Sequence, residues 1–275
     1  MTLTEKRIGF IGGGAMAEAL AGGLIAAGVP ASQLAIGEPR AERREHLHER
    51  LGVSTSEDNA EAVRDRDVVV LATKPKVIQT ALGELPKSGL DLTRPLWISI
   101  AAGVRLESLE SELPAKARIV RAMPNTPALV GSGATAICGN PATHASDRAD
   151  ARALFESVGV VWEADREALL DAVTGLSGSG PAYAFLFLEA LIDAGEEVGL
   201  PREAAEQLAL QTVYGAAKLA LNSDRSPTQL REQVSSPGGT TLAGLAELDA
   251  GELRKTVARA VAAATARSVE LGKGS

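Results

Sequence analysis

The sequence predicts an α/β protein in which a doubly wound, mostly parallel sheet is followed by an all-helical domain. Three features carry that reading. Short apolar runs alternate with helical patterns over the first half. Several runs, above all Val68-Val-Val-Leu71, are continuous rather than alternating, as in strands covered on both faces. After about Asp165 the β-branched runs stop, and Ala/Leu/Glu-rich stretches bounded by Pro or Gly take over. At 275 residues the chain is long enough for two domains with their own cores, drawn here as residues 1–165 and 166–275.

In chain order, strands are expected at Arg7–Ile11, Leu34–Gly37, Asp67–Ala72, Leu96–Ile100 and Arg118–Arg121, with a weaker candidate at Ala134–Cys138. The helix after the first strand is expected over Met16–Ala27. In the second half the pattern predicts helices over Pro181–Val198, Arg202–Leu221, Pro227–Gln233, Thr240–Leu248 and Glu252–Leu271. Within the first of these, Ala182-Tyr-Ala-Phe-Leu-Phe-Leu188 is apolar on every side of the turn. About 110 residues of helix give little depth to bury such a helix, so a second chain is expected to cover it.

Composition removes several functions. With 28 Lys+Arg against 35 Asp+Glu the net charge is −7, which disfavours nucleic acid and anionic membrane surfaces. Cys138 has no intrachain partner, so disulfides, CxxC redox chemistry and thiolate zinc sites drop out and the chain reads as cytoplasmic. No signal-peptide-like apolar region precedes Ile8, and no uncharged run approaches the ~18 residues that span a bilayer. The three His are scattered, which leaves no basis for a metal site or a His-centred triad.

Gly12, Gly14 and Ala17 form GxGxxA between a strand and an apolar helix. Gly12 suits the tight turn, Gly14 lets a pyrophosphate approach the backbone, and Ala17 lets helix pack on strand, with the phosphate at the helix N-terminus. This is the layout of a Rossmann-type dinucleotide domain. At the end of the second strand the signals conflict. Glu38 stands where a carboxylate would accept from a ribose 2′-OH, yet Arg40, Arg43 and Arg44, which suit a 2′-phosphate, follow at once. The residues alone leave NAD and NADP undecided. Thr73-Lys-Pro75 lies at the carboxyl edge of its strand, where Lys74 reads equally as a cofactor contact or an exposed helix cap.

Two further clusters lie at expected helix starts: Ser177-Gly-Ser-Gly-Pro181 and Ser235-Ser-Pro-Gly-Gly-Thr-Thr241. Free first-turn amides and the helix dipole favour an anion there, and a small carboxylate fits. The first cluster reads equally well as an ordinary helix start with Pro181 at its first position. The second, crowded with Ser, Gly and Thr, suits a ligand better than a core. Neither supplies a general base. Hydride transfer to an already electrophilic C=N tolerates that lack, because positioning alone supplies ~7–11 kcal/mol.

Ala172-Val-Thr-Gly-Leu-Ser-Gly-Ser-Gly-Pro-Ala-Tyr183 and Val234-Ser-Ser-Pro-Gly-Gly-Thr-Thr241 resemble the pyrroline-5-carboxylate reductase family. So do Ser99-Ile-Ala-Ala-Gly-Val104 and Arg121-Ala-Met-Pro-Asn-Thr-Pro127, in the same order along essentially the whole chain. The resemblance implies reduction of Δ1-pyrroline-5-carboxylate to L-proline by NADPH or NADH, the last step of proline synthesis. It also implies a helical substrate-binding and dimerisation domain that interlocks in a homodimer, often assembled into decamers. Implied cofactor positions are Ile11, Gly12, Gly13, Gly14, Ala15 and Met16 at the pyrophosphate, then Asn59, Ala72, Thr73, Lys74 and Pro75, with Ala102 near the nicotinamide. Implied substrate positions are Glu167, Ser236, Gly239, Thr240 and Thr241, with Thr241 beside the ring nitrogen as the catalytic group; Asp224 also corresponds to a substrate-side position in some members. Glu38 departs from the small or hydroxyl residue that members often carry. The resemblance and the arginines, Arg40 first, favour NADPH.

Two other readings are weighed against this one. Lys218 and Asn222 share a helix face at i,i+4, as in β-hydroxyacid dehydrogenases, but the Ser-Ser-Pro-Gly-Gly-Thr-Thr cluster has no role there. A non-catalytic regulator that senses NAD(P) would explain the missing acid/base residue but not two anion-ready helix starts.

Overall fold

A computed structural model describes residues 3–273. The described residues divide into two compact units, one running to Ser179 and resuming from Ala262, the other Gly180–Val261.

The first unit is built on eight strands: β1 (Ile8–Ile11), β2 (Leu34–Gly37), β3 (Ser54–Ser56), β4 (Val68–Leu71), β5 (Leu96–Ser99), β6 (Arg118–Met123), β7 (Gly133–Gly139) and β8 (Gly159–Glu163). They form one sheet in the order β3-β2-β1-β4-β5-β6-β7-β8 among the described residues. Only the β6–β7 pairing is antiparallel. Because β1 lies between β2 and β4, chain direction across the sheet reverses there, and the crevice beyond the carboxyl ends of β1 and β4 is where such sheets hold ligands.

Six helices cover the two faces: α1 (Ala15–Ala26), α2 (Ala41–Leu51), α3 (Asn59–Val63), α4 (Pro75–Glu84), α5 (Leu106–Glu112) and α6 (Ala145–Glu156). Ile8, Phe10, Val68 and Val70 pack with Leu20 and Leu24 of α1, Leu47 of α2 and Phe155 of α6. Ile11, Val69, Leu71 and Trp97 pack with Ala60 of α3, Ile78 of α4 and Leu109 of α5. Both side-chain directions of each central strand are therefore apolar, which explains the continuous runs; each such side chain contributes about 1.5–3 kcal/mol on burial. A third, smaller cluster places Leu170 of α7 (Leu169–Val173) over Ala136 and Cys138.

All six expected strands are present, with ends shifted by one or two residues. Two others escaped the sequence pattern. β3 is Ser-Thr-Ser, a strand only through its pairing with β2. β8 pairs in parallel with β7 at the opposite edge.

A π-helix, Thr174–Gly178, follows α7. Next come α8 (Gly180–Glu197), α9 (Arg202–Leu221), α10 (Pro227–Gln233), α11 (Thr240–Ala250) and α12 (Leu253–Gly272). These match the five expected helices. α8 has no buried residue in the single chain, where Phe185, Leu186 and Phe187 are exposed. α12 ends in the first unit, where Ser268 Oγ donates to Asp171 at 2.7 Å.

Strand and helix approach closely at the start of the chain. A Cβ on Gly9 of β1 would lie 2.2 Å from the Ala62 carbonyl oxygen of α3. Gly9→Ala is therefore expected to destabilise the protein by about 1–3 kcal/mol through forced backbone movement, seen as a lower urea midpoint at unchanged slope.

Candidate active site

The loop from β1 to α1 is shaped by three glycines with different tasks. Gly12 has φ +99°, and a Cβ there would lie 2.8 Å from the Thr73 methyl and 2.9 Å from the Ala72 carbonyl. Its amide donates to Gly37 at 2.8 Å, locking the turn onto β2. A Cβ on Gly13 would meet Leu47 at 2.7 Å. Gly14 caps α1 with extended backbone, no side chain caps the helix, and a Cβ there would meet nothing within 4 Å. The open side of the loop thus faces the uncapped first-turn amides that Ala15 and Met16 begin, an arrangement suited to a phosphate. Ala17 is wholly buried against the sheet.

Glu38 follows β2 and is 4% exposed. Its carboxylate accepts from the Gly13 amide at 3.1 Å, the Arg40 amide at 3.1 Å and Arg40 Nε at 2.8 Å. Burial pushes this carboxyl up, but the Arg40 and Gly13 hydrogen bonds together outweigh it and hold it below the usual carboxylate range. The arginines differ sharply. Arg43 donates to the Gly13 carbonyl at 2.6 Å and pairs with Glu18. Arg44 donates to the carbonyls of Glu38 and Pro39 at 2.8 and 2.7 Å. Arg40 keeps a side chain 69% exposed while paired with Glu38. Asn59, at the start of α3, packs against Gly37, where a Cβ would lie 2.5 Å from its Oδ1.

Beyond β4, Ala72 and Thr73 are partly buried and Lys74 and Pro75 are exposed, with Lys74 at the cap of α4 and Pro75 in its first turn. Thr73 Oγ1 is buried and, alone among the buried side-chain oxygens and nitrogens of the described residues, lacks a hydrogen-bond partner. An orphaned hydroxyl beside an open glycine loop and uncapped amides fits a polar dinucleotide. Beyond β5, Ala102 is exposed in a turn whose Gly103 has φ +81° and packs beside Leu271 of α12.

The same turn is braced from behind. Glu167 Oε1 accepts from the Leu106 amide at 2.8 Å, at the start of α5, and from Arg121 Nη1 at 2.7 Å. Arg121 is 3% exposed. Asn125 ties two more segments: its Nδ2 donates to the Ser177 carbonyl at 3.0 Å and its Oδ1 accepts from the Ala134 amide at 2.8 Å. Sequence reasoning missed these braces; a lone Arg inside an apolar strand was the available signal.

In the second unit, Gly238 has φ +72° and the Gly239 amide donates to the Ser236 carbonyl at 3.0 Å, folding Ser235–Gly239 into a tight turn before α11. Gly239 caps α11, no side chain caps the helix, and Thr240 and Thr241 occupy its first two positions. Ser236, Thr240 and Thr241 are exposed in the single chain. The other cluster behaves differently: Ser177–Gly178 belong to the π-helix, and the Ser179 amide is already bonded to the Thr174 carbonyl at 2.8 Å. The helix start expected there is a wound-through segment, because the extra residue is absorbed by i→i+5 bonding. Lys218 lies over the Tyr214 ring at 5.6 Å and Asn222 Nδ2 donates to the Lys218 carbonyl at 2.8 Å, so neither is arranged as a catalytic pair.

Comparison with known proteins agrees with this geometry. Residues 167–271 match the family profile described as pyrroline-5-carboxylate reductase dimerisation, and residues 7–103 match NADP oxidoreductase coenzyme F420-dependent. A pyrroline-5-carboxylate reductase from Synechocystis sp. is 47% identical, over 97% of this chain and 98% of that protein. The chain belongs to the pyrroline-5-carboxylate reductase family. A solved pyrroline-5-carboxylate reductase from Coxiella burnetii superposes with TM-score 0.92 at 42% identity, covering 97% of this chain and 98% of that one. A Plasmodium falciparum pyrroline carboxylate reductase solved with NADP bound gives 0.85 at 35% identity, covering 97% and 98%. Membership of this family covers both the nucleotide loop and the α11 turn.

Two outcomes follow. Thr73→Val keeps the methyl packed on Gly12 and removes the orphaned hydroxyl, so the free protein is expected to be as stable or up to about 1–3 kcal/mol more stable, while the KM for NAD(P)H rises; thermal unfolding and cofactor titration check both. Because Glu38 is held below its ordinary value of 4.5, its stabilisation is complete above that pH and is lost as pH falls through the lower folded value. The stability difference between wild type and Glu38→Gln should therefore be constant near neutrality and shrink below about pH 4.5, in urea unfolding at stepped pH.

Proposed function

We propose that this chain reduces Δ1-pyrroline-5-carboxylate to L-proline with a hydride from NAD(P)H, the final step of proline biosynthesis. The observation that carries the proposal is the pairing, in one member of this family, of an open dinucleotide loop beside the orphaned Thr73 hydroxyl with an uncapped helix start rich in hydroxyls. Bound NAD(P)H supplies the hydride. Ile11–Met16 hold the pyrophosphate, Arg40 and Asn59 the adenosine ribose, and Ala72–Pro75 with Ala102 the nicotinamide half.

Residues 166–275 serve as the substrate-binding and dimerisation domain. Ser236, Gly239 and the first-turn amides at Thr240 and Thr241 hold the substrate carboxylate, each charge-assisted bond contributing roughly 1.5–3 kcal/mol. The Thr241 hydroxyl accepts from the N–H of the protonated imine. As hydride adds to the C=N carbon, the electron pair of the double bond passes to nitrogen. Glu167, with its carboxylate engaged by Arg121 and the Leu106 amide, acts on substrate geometry through the Ala101–Arg105 turn.

NADPH is the preferred form in this reading, with Arg40, exposed though paired with Glu38, as its guanidinium contact, since Arg43 and Arg44 are held by backbone carbonyls. Glu38 opposes that preference, so NADH is accepted too. The chain works as a homodimer, extended to decamers as its family resemblance implies. Its lone cysteine suits the cytoplasm, and no described helix is long and apolar enough to cross a membrane.

Steady-state oxidation of NADPH and NADH, with Δ1-pyrroline-5-carboxylate as acceptor and a keto acid as control, tests the whole. Turnover of the imine alone is expected, with Arg40→Ala narrowing the NADPH preference and Thr241→Ala lowering kcat/KM about 10- to 100-fold. Turnover of the keto acid alone, or a fully active Thr241→Ala, would overturn it.

A further inference from the structure

The two edges of the sheet are finished in opposite ways. β3 closes one edge with Ser54, Thr55 and Ser56, hydroxyl side chains suited to solvent. β8 closes the other with Val160, Val161 and Trp162. Val161 packs partly into the core shared with α6, and its carbonyl accepts from Arg152 at 3.1 Å. Val160 and Trp162 point to the opposite face and are 68% and 51% exposed. Leu176 of the π-helix, 65% exposed, stands with them around a recess of about 290 Å³ floored by Ala134 and Ala136 and walled by Val173. The helical cover on this face, α7 and the π-helix, buries Ala136 and Cys138 but stops short of the outermost strand. An edge strand carrying an exposed tryptophan and valine beside an exposed leucine is not built for water.

The geometry points to a second copy of this chain as the cover of the Val160–Trp162–Leu176 face, so that the sheet's β8 edge, and not only the helical half, takes part in the dimer. Val173 and Leu176 lie within residues 167–271, the stretch matching the family's dimerisation domain, so the apolar face on β8 continues a surface already committed to self-association. Three side chains are far from the roughly 1,000 Å² that a stable interface buries, so the face works only as an extension of that larger surface. The chain also presents its own apolar complement: α8 exposes Phe185, Leu186 and Phe187, and a two-fold dimer offers each copy's exposed apolar surface to the other. This inference rests on the homodimer proposed above.

The two tryptophans of the chain make the test direct. Trp97 is fully buried, with its Nε1 bonded to the Leu92 carbonyl at 3.0 Å, so exposure-dependent changes report Trp162. Acrylamide quenching of wild type and Trp162→Phe, subtracted, isolates Trp162, while light scattering on the same full-length samples reports the oligomer. A dimer in which Trp162 is quenched several-fold less than after dilution to monomer is the expected result, with Trp162→Asp weakening dimerisation at least several-fold. A dimer whose Trp162 is as quenchable as in the monomer would overturn this inference and leave the homodimer standing. A chain that stays monomeric at every concentration would overturn both. Protection of Trp162 that persists after dilution to monomer would assign the cover to the chain itself and overturn the inference as well.

Discussion

The crossing of two backbones at Gly12 is the constraint on which the first unit depends. With the loop pressed against the Ala72 carbonyl and the Thr73 methyl, there is no room for any side chain, and only a positive φ carries the chain from β1 into α1. That crossing sets the height at which α1 begins and so where its uncapped amides lie. It also explains the orphaned hydroxyl. The Thr73 methyl is committed to packing on Gly12, and a β-branched side chain with one arm committed has little freedom left at χ1, so Oγ1 stays in a buried position without a protein partner. Two features that look separate, a glycine at positive φ and a threonine with an unmet bond, are consequences of one contact.

Charge around the loop follows a similar economy. Glu38, Arg40, Arg43 and Arg44 looked, as letters, like rival votes for two cofactors. In the fold most of them hold the protein to itself: Arg43 bridges the Gly13 carbonyl and Glu18, Arg44 closes the carbonyl end of β2, and Glu38 accepts from the glycine loop. What remains facing outward is a single exposed guanidinium already shared with a buried carboxylate.

The fold was legible where burial forced it. Strands covered on both faces need apolar residues in both directions, so β1, β2, β4 and β5 read directly, and the five helices α8–α12 announced their ends through Pro and Gly. The rest depended on partners distant in sequence. β3 carries no apolar residue and is a strand only because β2 offers it hydrogen bonds. The π-helix looked like a helix start because glycines and serines suit both, and only i→i+5 bonding separates the two. In the candidate site, the glycine loop and the α11 turn were legible as local patterns. The Arg121–Glu167–Leu106 brace was not, since its members come from β6, α5 and the turn before α7 and share nothing but their meeting point.

The last turns of α12 belong to the same compact unit as the first strand. During synthesis, the nucleotide-binding half therefore emerges early but stays incomplete: Asp171 lacks Ser268 and Gly103 lacks its neighbour Leu271 until α12 has left the ribosome. Nascent chains generally fold domain by domain from the amino end. Here the order is delayed by topology, and the turn that carries Ala102 is finished only once α12 has emerged to pack beside it.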